Sequence, residues 1–485
     1  MAGEIQITRR TFLRAATYAG ASAFVAGCAW EPFGSCEERL LRFGVLSDVH
    51  IGPDGSDEVL VGELRYLDAQ GVEAVLFPGD IANTGIIGEM ERFADCWETV
   101  FPKCRAADGR RVERLLVTGN HDIDVWPSRW KGWSEKRIAR ERFWYGDNAK
   151  RTWERLFGEE WQTVWMRKVK GVTFVGAQWM SLNPPIARFL AEHDSEIDPA
   201  LPFFYCQHPH PKGTCHGQLA ADENAEDHGE AVKALSRFAN AVAFSGHSHL
   251  PITDESAVWQ GAFTSIGSGC AGTVATTGFG GDSHVNGGQA WRRADRCRLM
   301  PILKTFQNSR AGYVVDVFRD RIALHRHSFF YGCPVGEDWC VPIPSAKDGP
   351  YDFARRRAAD PAPKFAPDAA VHAEFCAVAP ESAGTDYRGK RPCIRVTFPC
   401  ASCAKSFRVF DSEVKVLSKD GVLLSKKMFS PGFHLPDAHA DVPGELLFDV
   451  NEIPAGSDVR FSVTPRNCYG ASGKTLVSAV FASRI

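Results

Sequence analysis

Neither sign of charge is in excess: 56 Lys and Arg face 59 Asp and Glu, a formal net charge of -3. A nucleic-acid binder carries a globally basic footprint, so no nucleic acid is expected as a dedicated partner. Long apolar runs are missing as well. None reaches the ~20 residues that a membrane-spanning helix requires. Compositional bias is also lacking, since 44% hydrophobic and 24% charged residues exclude collagen, coiled coil and wholesale disorder. The glycine-rich stretch Gly278–Gly288, which ends near Arg292 and Arg293, has no Lys-Ser/Thr of the phosphate-cradling kind and reads as a surface loop. What remains is a 485-residue chain with room for two or three domains.

The first residues read as a targeting segment and are set apart from the fold. Thr8-Arg9-Arg10-Thr11-Phe12-Leu13-Arg14 resembles a twin-arginine export signal, and Val25-Ala26-Gly27-Cys28 resembles a lipobox. The order of the two implies a signal over 1–27 and an exported, periplasmic or cell-surface protein. Its only membrane attachment would be a lipid anchor at Cys28, followed by a tether over 28–40. Fifteen cysteines suit an oxidising compartment. The close pairs Cys96/Cys104, Cys206/Cys215 and Cys333/Cys340 are the candidate bridges. Cys400-Ala-Ser-Cys403 copies a redox motif but lies in a β-rich segment without βαβ context.

From Leu41 to His249, short apolar runs alternate with helical patterning. Leu41–Leu46, Ala74–Phe77, Arg114–Val117, Val172–Ala177, Phe203–Cys206 and Ala241–Phe244 read as strands, and Asp57–Gln70 and Gly88–Phe101 as helices. This predicts an α/β sheet with parallel elements. Gly312–Asp316 and Arg321–Arg326 predict a hairpin that closes a domain spanning 41–341. Six prolines mark a linker over 342–368. Strands alone follow, at Cys393–Phe398, Ser406–Phe410, Glu413–Ser418, Glu445–Val450 and Asp458–Pro465. They predict a small all-β sandwich over 369–485 whose last strands resemble a fibronectin type III-like module.

Five motifs sit just after predicted strands, where α/β sheets place their ligands. They are Asp48-Val49-His50, Gly79-Asp80, Gly119-Asn120-His121-Asp122, His208-Pro209-His210 and Gly246-His247-Ser248-His249. Carboxylates, imidazoles and an amide carbonyl together suit divalent first-row metals. A carboxylate shared by two ions holds them at the spacing that two-metal hydrolysis uses.

The ordered set resembles the calcineurin-like metallophosphoesterase superfamily over roughly residues 41–330. The resemblance implies an α/β/β/α sandwich and two divalent or trivalent ions (Mn, Fe or Zn). Asp48, His50 and His249 would hold one ion, Asn120, His208 and His247 the other, with Asp80 bridging. His210 is the alternative to His208, which is preferred because it directly follows the Phe203–Cys206 run. His121 would contact the phosphoryl group or protonate the leaving oxygen, with Asp122 orienting its ring. The implied reaction is phosphoester hydrolysis by a hydroxide held between the metals.

Asn83 stands where purple acid phosphatases carry a tyrosine ligand, and the arginine that Ser/Thr phosphoprotein phosphatases carry after Asp80 is lacking. By elimination the expectation leans to phosphodiesters. The alternatives are a phosphomonoesterase on the same site, or a surface binding lipoprotein with a vestigial site. Oligomeric state is not legible.

Residues 126–179 hold eight of the thirteen tryptophans, and 129–170 carry twelve Lys and Arg against six Asp and Glu. An insert packed by its own tryptophans is favoured over an anion-stacking lid. His216 and His284 are expected to be exposed or structural.

Overall fold

The computed structural model describes residues 38–52, 55–124, 130–180, 186–222, 224–272, 284–286, 310–346, 348–359, 362–378, 391–403, 408–437 and 441–483. The export signal, Cys28 and most of the glycine-rich stretch lie outside these residues. Strand and helix alternate through the first part: β1 (Leu41–Val45), α1 (Ser56–Ala69), β2 (Ala74–Pro78), α2 (Ile87–Val100), β3 (Glu113–Val117) and α3 (Asn120–Ile123). Then come α4 (Glu135–Glu141), α5 (Asn148–Phe157), β4 (Val164–Val169), β5 (Val172–Ala177), β6 (Phe203–Cys206), β7 (Ala241–Ser245), β8 (Val258–Gln260) and β9 (Thr264–Gly267). The predicted hairpin is β10 (Ala311–Val317) and β11 (Arg321–Ser328), and β12 (Cys333–Pro334) and β13 (Trp339–Pro342) pair onto it.

Two mixed sheets result. One runs β12-β11-β10-β1-β2-β3, with β13 on β11, and the other β4-β5-β6-β7-β9-β8. β1, β2 and β3 are mutually parallel, as are β5, β6, β7 and β9, whereas β10 closes antiparallel onto β1. The period of two within each strand decides the layering. Phe174, Phe204, Val242 and Phe244 point between the sheets, where the Phe43 ring meets Phe204 at 4.8 Å and Phe174 at 5.3 Å. Val175, Phe203, Tyr205 and Ala243 face the other way, onto the helices at Ile186–His193 and Glu230–Leu235. Val75 and Phe77 likewise face α1, α2 and α5. Helices therefore cover both outer faces, and the aromatic seam between the sheets is the main core.

The tryptophan-rich segment packs onto α2. Trp153 and Trp161 are buried with Phe143 and Phe157 in one cluster, and their rings meet edge-on at 4.9 Å. They are core, not an open stacking surface. The proline-rich stretch is not loosely draped either. Ile343 and Tyr351 are buried in the inter-sheet core, and Phe353–Ala359 is helical.

The C-terminal region is antiparallel throughout. A three-stranded sheet holds β14 (His372–Val378), β15 (Arg391–Phe398) and β18 (Gly444–Asp449). The other sheet runs β17 (Gly421–Phe429), β16 (Asp411–Ser418), β19 (Asp458–Arg466), β20 (Leu476–Val477), with β21 (Phe481–Ala482) on β19. Val396, Val414, Phe448 and Phe461 fill the space between them. Of the predicted strand Ser406–Phe410, residues 408–410 are irregular and the buried Arg408 spends its NH groups on the carbonyls of Leu435 and Pro436. The region meets the first part at Glu255. The Tyr469 hydroxyl donates to the Glu255 carbonyl at 3.1 Å, and Arg408 lies 3.8 Å from its carboxylate.

The expected cysteine bridges are not formed. The Cys206 thiol points into the inter-sheet core, and Cys215 lies against Ser265 and His210 on a separate loop. Cys96 is held against the Asp57 carbonyl away from Cys104, and Cys333 is not joined to Cys340.

Candidate metal centre

Each motif residue leaves the C-terminal end of a parallel strand, and the two sheets aim these ends at one another. β1 supplies Asp48 and His50, β2 Asp80, β3 Asn120 and His121, β6 His208, and β7 His247 and His249. The turns are held in a sparsely populated conformation. Asp48, His50, Asp80, His247 and His249 all have positive φ, between 49° and 69°. Left-handed backbone costs a non-glycine residue about 1–2 kcal/mol, so five such residues are a substantial strain gathered in one place. Close approach dictates two glycines. A Cβ on Gly119 would collide with Asp80, and one on Gly246 with Ser47 and Asp48.

Two groups of potential ligands result. Asp48, His50, Asp80 and His249 offer atoms within 4.8 Å of one another, and so do Asp80, His208 and His247, with Asp80 common to both. His249 Nε2 lies 3.1 Å from Asp48 Oδ1, His208 Nε2 3.2 Å from Asp80 Oδ2, and His50 Nε2 3.2 Å from His249 Nε2. Asn120 joins the second group through Oδ1, 3.1 Å from His208 Nε2. Five of these residues, Asp48, His50, Asp80, His208 and His249, are at most 9% exposed. Among the described residues, no lysine or arginine pairs with either carboxylate. Imidazole nitrogens facing each other around two buried carboxylates make a donor set that cations complete. The residues present therefore fit a pair of metal ions.

Electrostatics follow from that crowding. Burial opposes charge on Asp80, yet His208 and His121 hold its carboxyl well below the usual range. Burial likewise works against a charged His208, but Asp80 and Asp48 lift it to about 9. His247 falls to about 3 through burial and the neighbouring His208.

His121 is half-buried with its ring edge-on to His50 at 4.5 Å, and its backbone N–H donates to Asp80 Oδ1 at 2.8 Å. Asp122 does not orient that ring. His121 Nδ1 bonds the Asn83 carbonyl at 2.8 Å instead. Asp122 turns away and accepts the backbone N–H groups of Gly119 and Ala82, each at 2.7 Å, and of Ile81 at 3.2 Å. It ties the β2 turn to the β3 turn. Burial and the nearby Asp80 push its carboxyl up to about 8. A backbone carbonyl leaves no mark in sequence, so the role of Asn83 was not legible.

Trp179 is a second unforeseen neighbour. Its ring lies 5.8 Å from His208 and 5.6 Å from His247, and its Nε1 donates to Asp124. It follows β5 as the other motifs follow their strands, which is the signal that would have found it. His210 points away from the ligand groups to Ser245 and Ser248, which favours His208 as the site histidine. His216 and His284 are buried and structural, bonded to Asp254 and Asp411.

The fold and this cluster define a metal-dependent phosphoesterase domain. Residues 41–251 match the model of the calcineurin-like phosphoesterase family. A comparison with curated proteins finds no match. Among solved structures, a dimetal phosphatase from Danio rerio is 13% identical, with 62% of this chain and 99% of that chain covered and a TM-score of 0.34. GAP50, the anchor in the inner membrane complex of Plasmodium, is 13% identical, with 63% and 90% covered and a TM-score of 0.33. A predicted phosphoesterase from Streptococcus pneumoniae is 11% identical, with 62% and 97% covered and a TM-score of 0.24. No residue role is transferred from these structures.

Proposed function

We propose that the chain hydrolyses phosphoesters at a dinuclear metal centre, with phosphodiesters as the preferred class. The observation that carries this reading is the pair of buried ligand groups that share Asp80. Asp48, His50 and His249 would hold one ion, Asn120, His208 and His247 the other, and Asp80 both. When bound, such ions supply Lewis acidity at the phosphoryl oxygens and an activated water. The chain's own part is positional and protic. His121, with Nδ1 on the Asn83 carbonyl, presents Nε2 to the substrate side, where it steadies a phosphoryl oxygen or donates a proton to the leaving alkoxide. Asp122 fixes the turns that carry Asp80 and His121. The diester preference rests on elimination, because neither an arginine after Asp80 nor a tyrosine at Asn83 is present.

Metal quantification, with turnover of a chromogenic phosphomonoester against its diester counterpart, tests the reading on the chain from Ala29. About two ions per chain with faster diester cleavage is expected. Faster monoester cleavage would make the protein a phosphatase on the same site. Failure to take up metal would overturn the enzyme reading in favour of a binding lipoprotein. The same proposal places the protein outside the cytoplasm, acylated at Cys28. Labelling with a radioactive fatty acid that persists in Cys28→Ser would refute that anchor.

A further inference from the structure

His210 lies on the side of the β6 loop opposite His208. We infer that it is a positioning residue for the His247-Ser248-His249 turn and sets the affinity of the centre for its ions. The inference rests on the metal reading above and adds a residue that the ligand set does not contain.

Four observations carry it. His210 is 1% exposed, and both of its ring nitrogens are engaged, Nδ1 with Ser245 Oγ at 2.7 Å and Nε2 with Ser248 Oγ at 2.6 Å. Ser245 ends β7 and Ser248 sits between the two ligand histidines, so one imidazole grips the turn at its root and at its middle. Ser248 relays that hold, since its hydroxyl also accepts the Leu250 N–H at 3.3 Å. The turn itself is strained, with φ of 69° at His247 and 53° at His249. A conformation of that kind persists only when its surroundings determine it.

His210 is itself anchored from outside the turn. Its backbone N–H donates to the Ala225 carbonyl at 2.9 Å, and its carbonyl accepts the Asp227 N–H at 2.8 Å. The Cys215 thiol closes the far side, 3.4 Å from Nδ1. Serine hydroxyls donate or accept, so either neutral tautomer of the ring serves both bonds. Groups that orient metal ligands in this way are worth about 10–100-fold in metal affinity.

The test is Mn2+ titration of the metal-free chain by calorimetry, with thermal unfolding of the same metal-free samples. His210→Phe keeps a ring of similar size and loses both bonds. Ser248→Ala removes only the middle grip. Each is expected to weaken Mn2+ binding by about 10–100-fold while the metal-free melting temperature stays within a few degrees. The double variant should be no weaker than His210→Phe alone, because both break one chain of bonds. His210→Gln, which can reach one hydroxyl, should recover part of the loss.

Wild-type Mn2+ affinity in both His210→Phe and Ser248→Ala would overturn the inference and leave the centre standing. Additive losses in the double variant would overturn it too. If His210→Phe does not fold, Ser248→Ala decides alone. A wild-type chain that takes up no Mn2+ would remove the metal reading itself, and this inference with it.

Discussion

In the two mixed sheets, the ion-pair partners of the buried Asp48 and Asp80 among the described residues are histidines, on turns with left-handed backbone at five ligand positions. In the C-terminal region, Asp411 is equally buried, yet Arg466 Nε donates to it at 2.7 Å and His284 bonds it at 2.7 Å. Among the described residues beyond Asp348, none other than glycine has positive φ. Both regions bury carboxylates. One neutralises them from its own side chains, while the other leaves the balance to cations from outside and holds the backbone under strain to do so. Buried charge marks a site when its compensation is missing, and marks a structural tie when it is complete.

The largest effect expected from breaking this contrast is that of Asp80→Asn. It should lower turnover by roughly 10³-fold or more. It should also leave the metal-free melting temperature within a few degrees, because the lost partner of His208 at 3.2 Å is offset by the removal of a buried charge. A large drop in that temperature would place Asp80 with the structural ties. His121→Ala should reduce kcat by about 10²–10⁴-fold with both ions retained. Loss of metal in that variant would show that His121 is a ligand.

Chelation sharpens the comparison more mildly. At free ion about 1,000-fold above Kd, binding stabilises by about 4 kcal/mol per site. Stripping the ions should therefore lower the melting temperature and speed hydrogen exchange in the turns after β1, β2 and β7, with β16 and β19 unaffected. Asp411→Asn reverses that pattern. It should cost about 3 kcal/mol in denaturant unfolding while kcat per folded molecule stays at the wild-type value.

The smallest effect is a pH trend. His325 on β11 bonds Asp316 at 3.0 Å and Asp338 at 2.7 Å, and these carboxylates raise it to about 9. Its folded value lies above the unfolded one, so the stabilisation is complete below the ordinary histidine range and fades as pH rises through about 9. His325→Gln should flatten the fall in stability between pH 7 and 10.

Where one residue type at one strand end decides the outcome, the sequence was readable. Val172–Ala177 and Phe203–Cys206 match β5 and β6 residue for residue, and the apolar runs located β1, β2, β3 and β7 to within a residue or so. The ligand motifs were legible because they sit at those same ends. β14 and β17 were missed. Both are edge strands with several exposed positions, and the apolar alternation that signals a strand is weak in them. The resemblance implies that Asp122 orients the His121 ring, whereas α3 turns the Asp122 carboxylate back onto the backbone of the β2 loop. Cysteine spacing misled for a related reason. Nearness in sequence says nothing about whether two side chains share a face, and Cys206 and Cys215 do not share one.

The pairing of β1 with β10 has a consequence for how the chain is made. Leu41 lies opposite Val317 and Val45 opposite Tyr313. A ribosome delivers β1 near the start, and β2 can join it early, but the other edge of β1 stays open until β10 has emerged. Contacts this distant in sequence fold slowly. Throughout that wait Phe43 and Val45 stand at an unpaired strand edge, the kind of surface that nascent-chain chaperones shield. Chains released before residue 311 would keep that edge, and those that extend through Ser328 would close it.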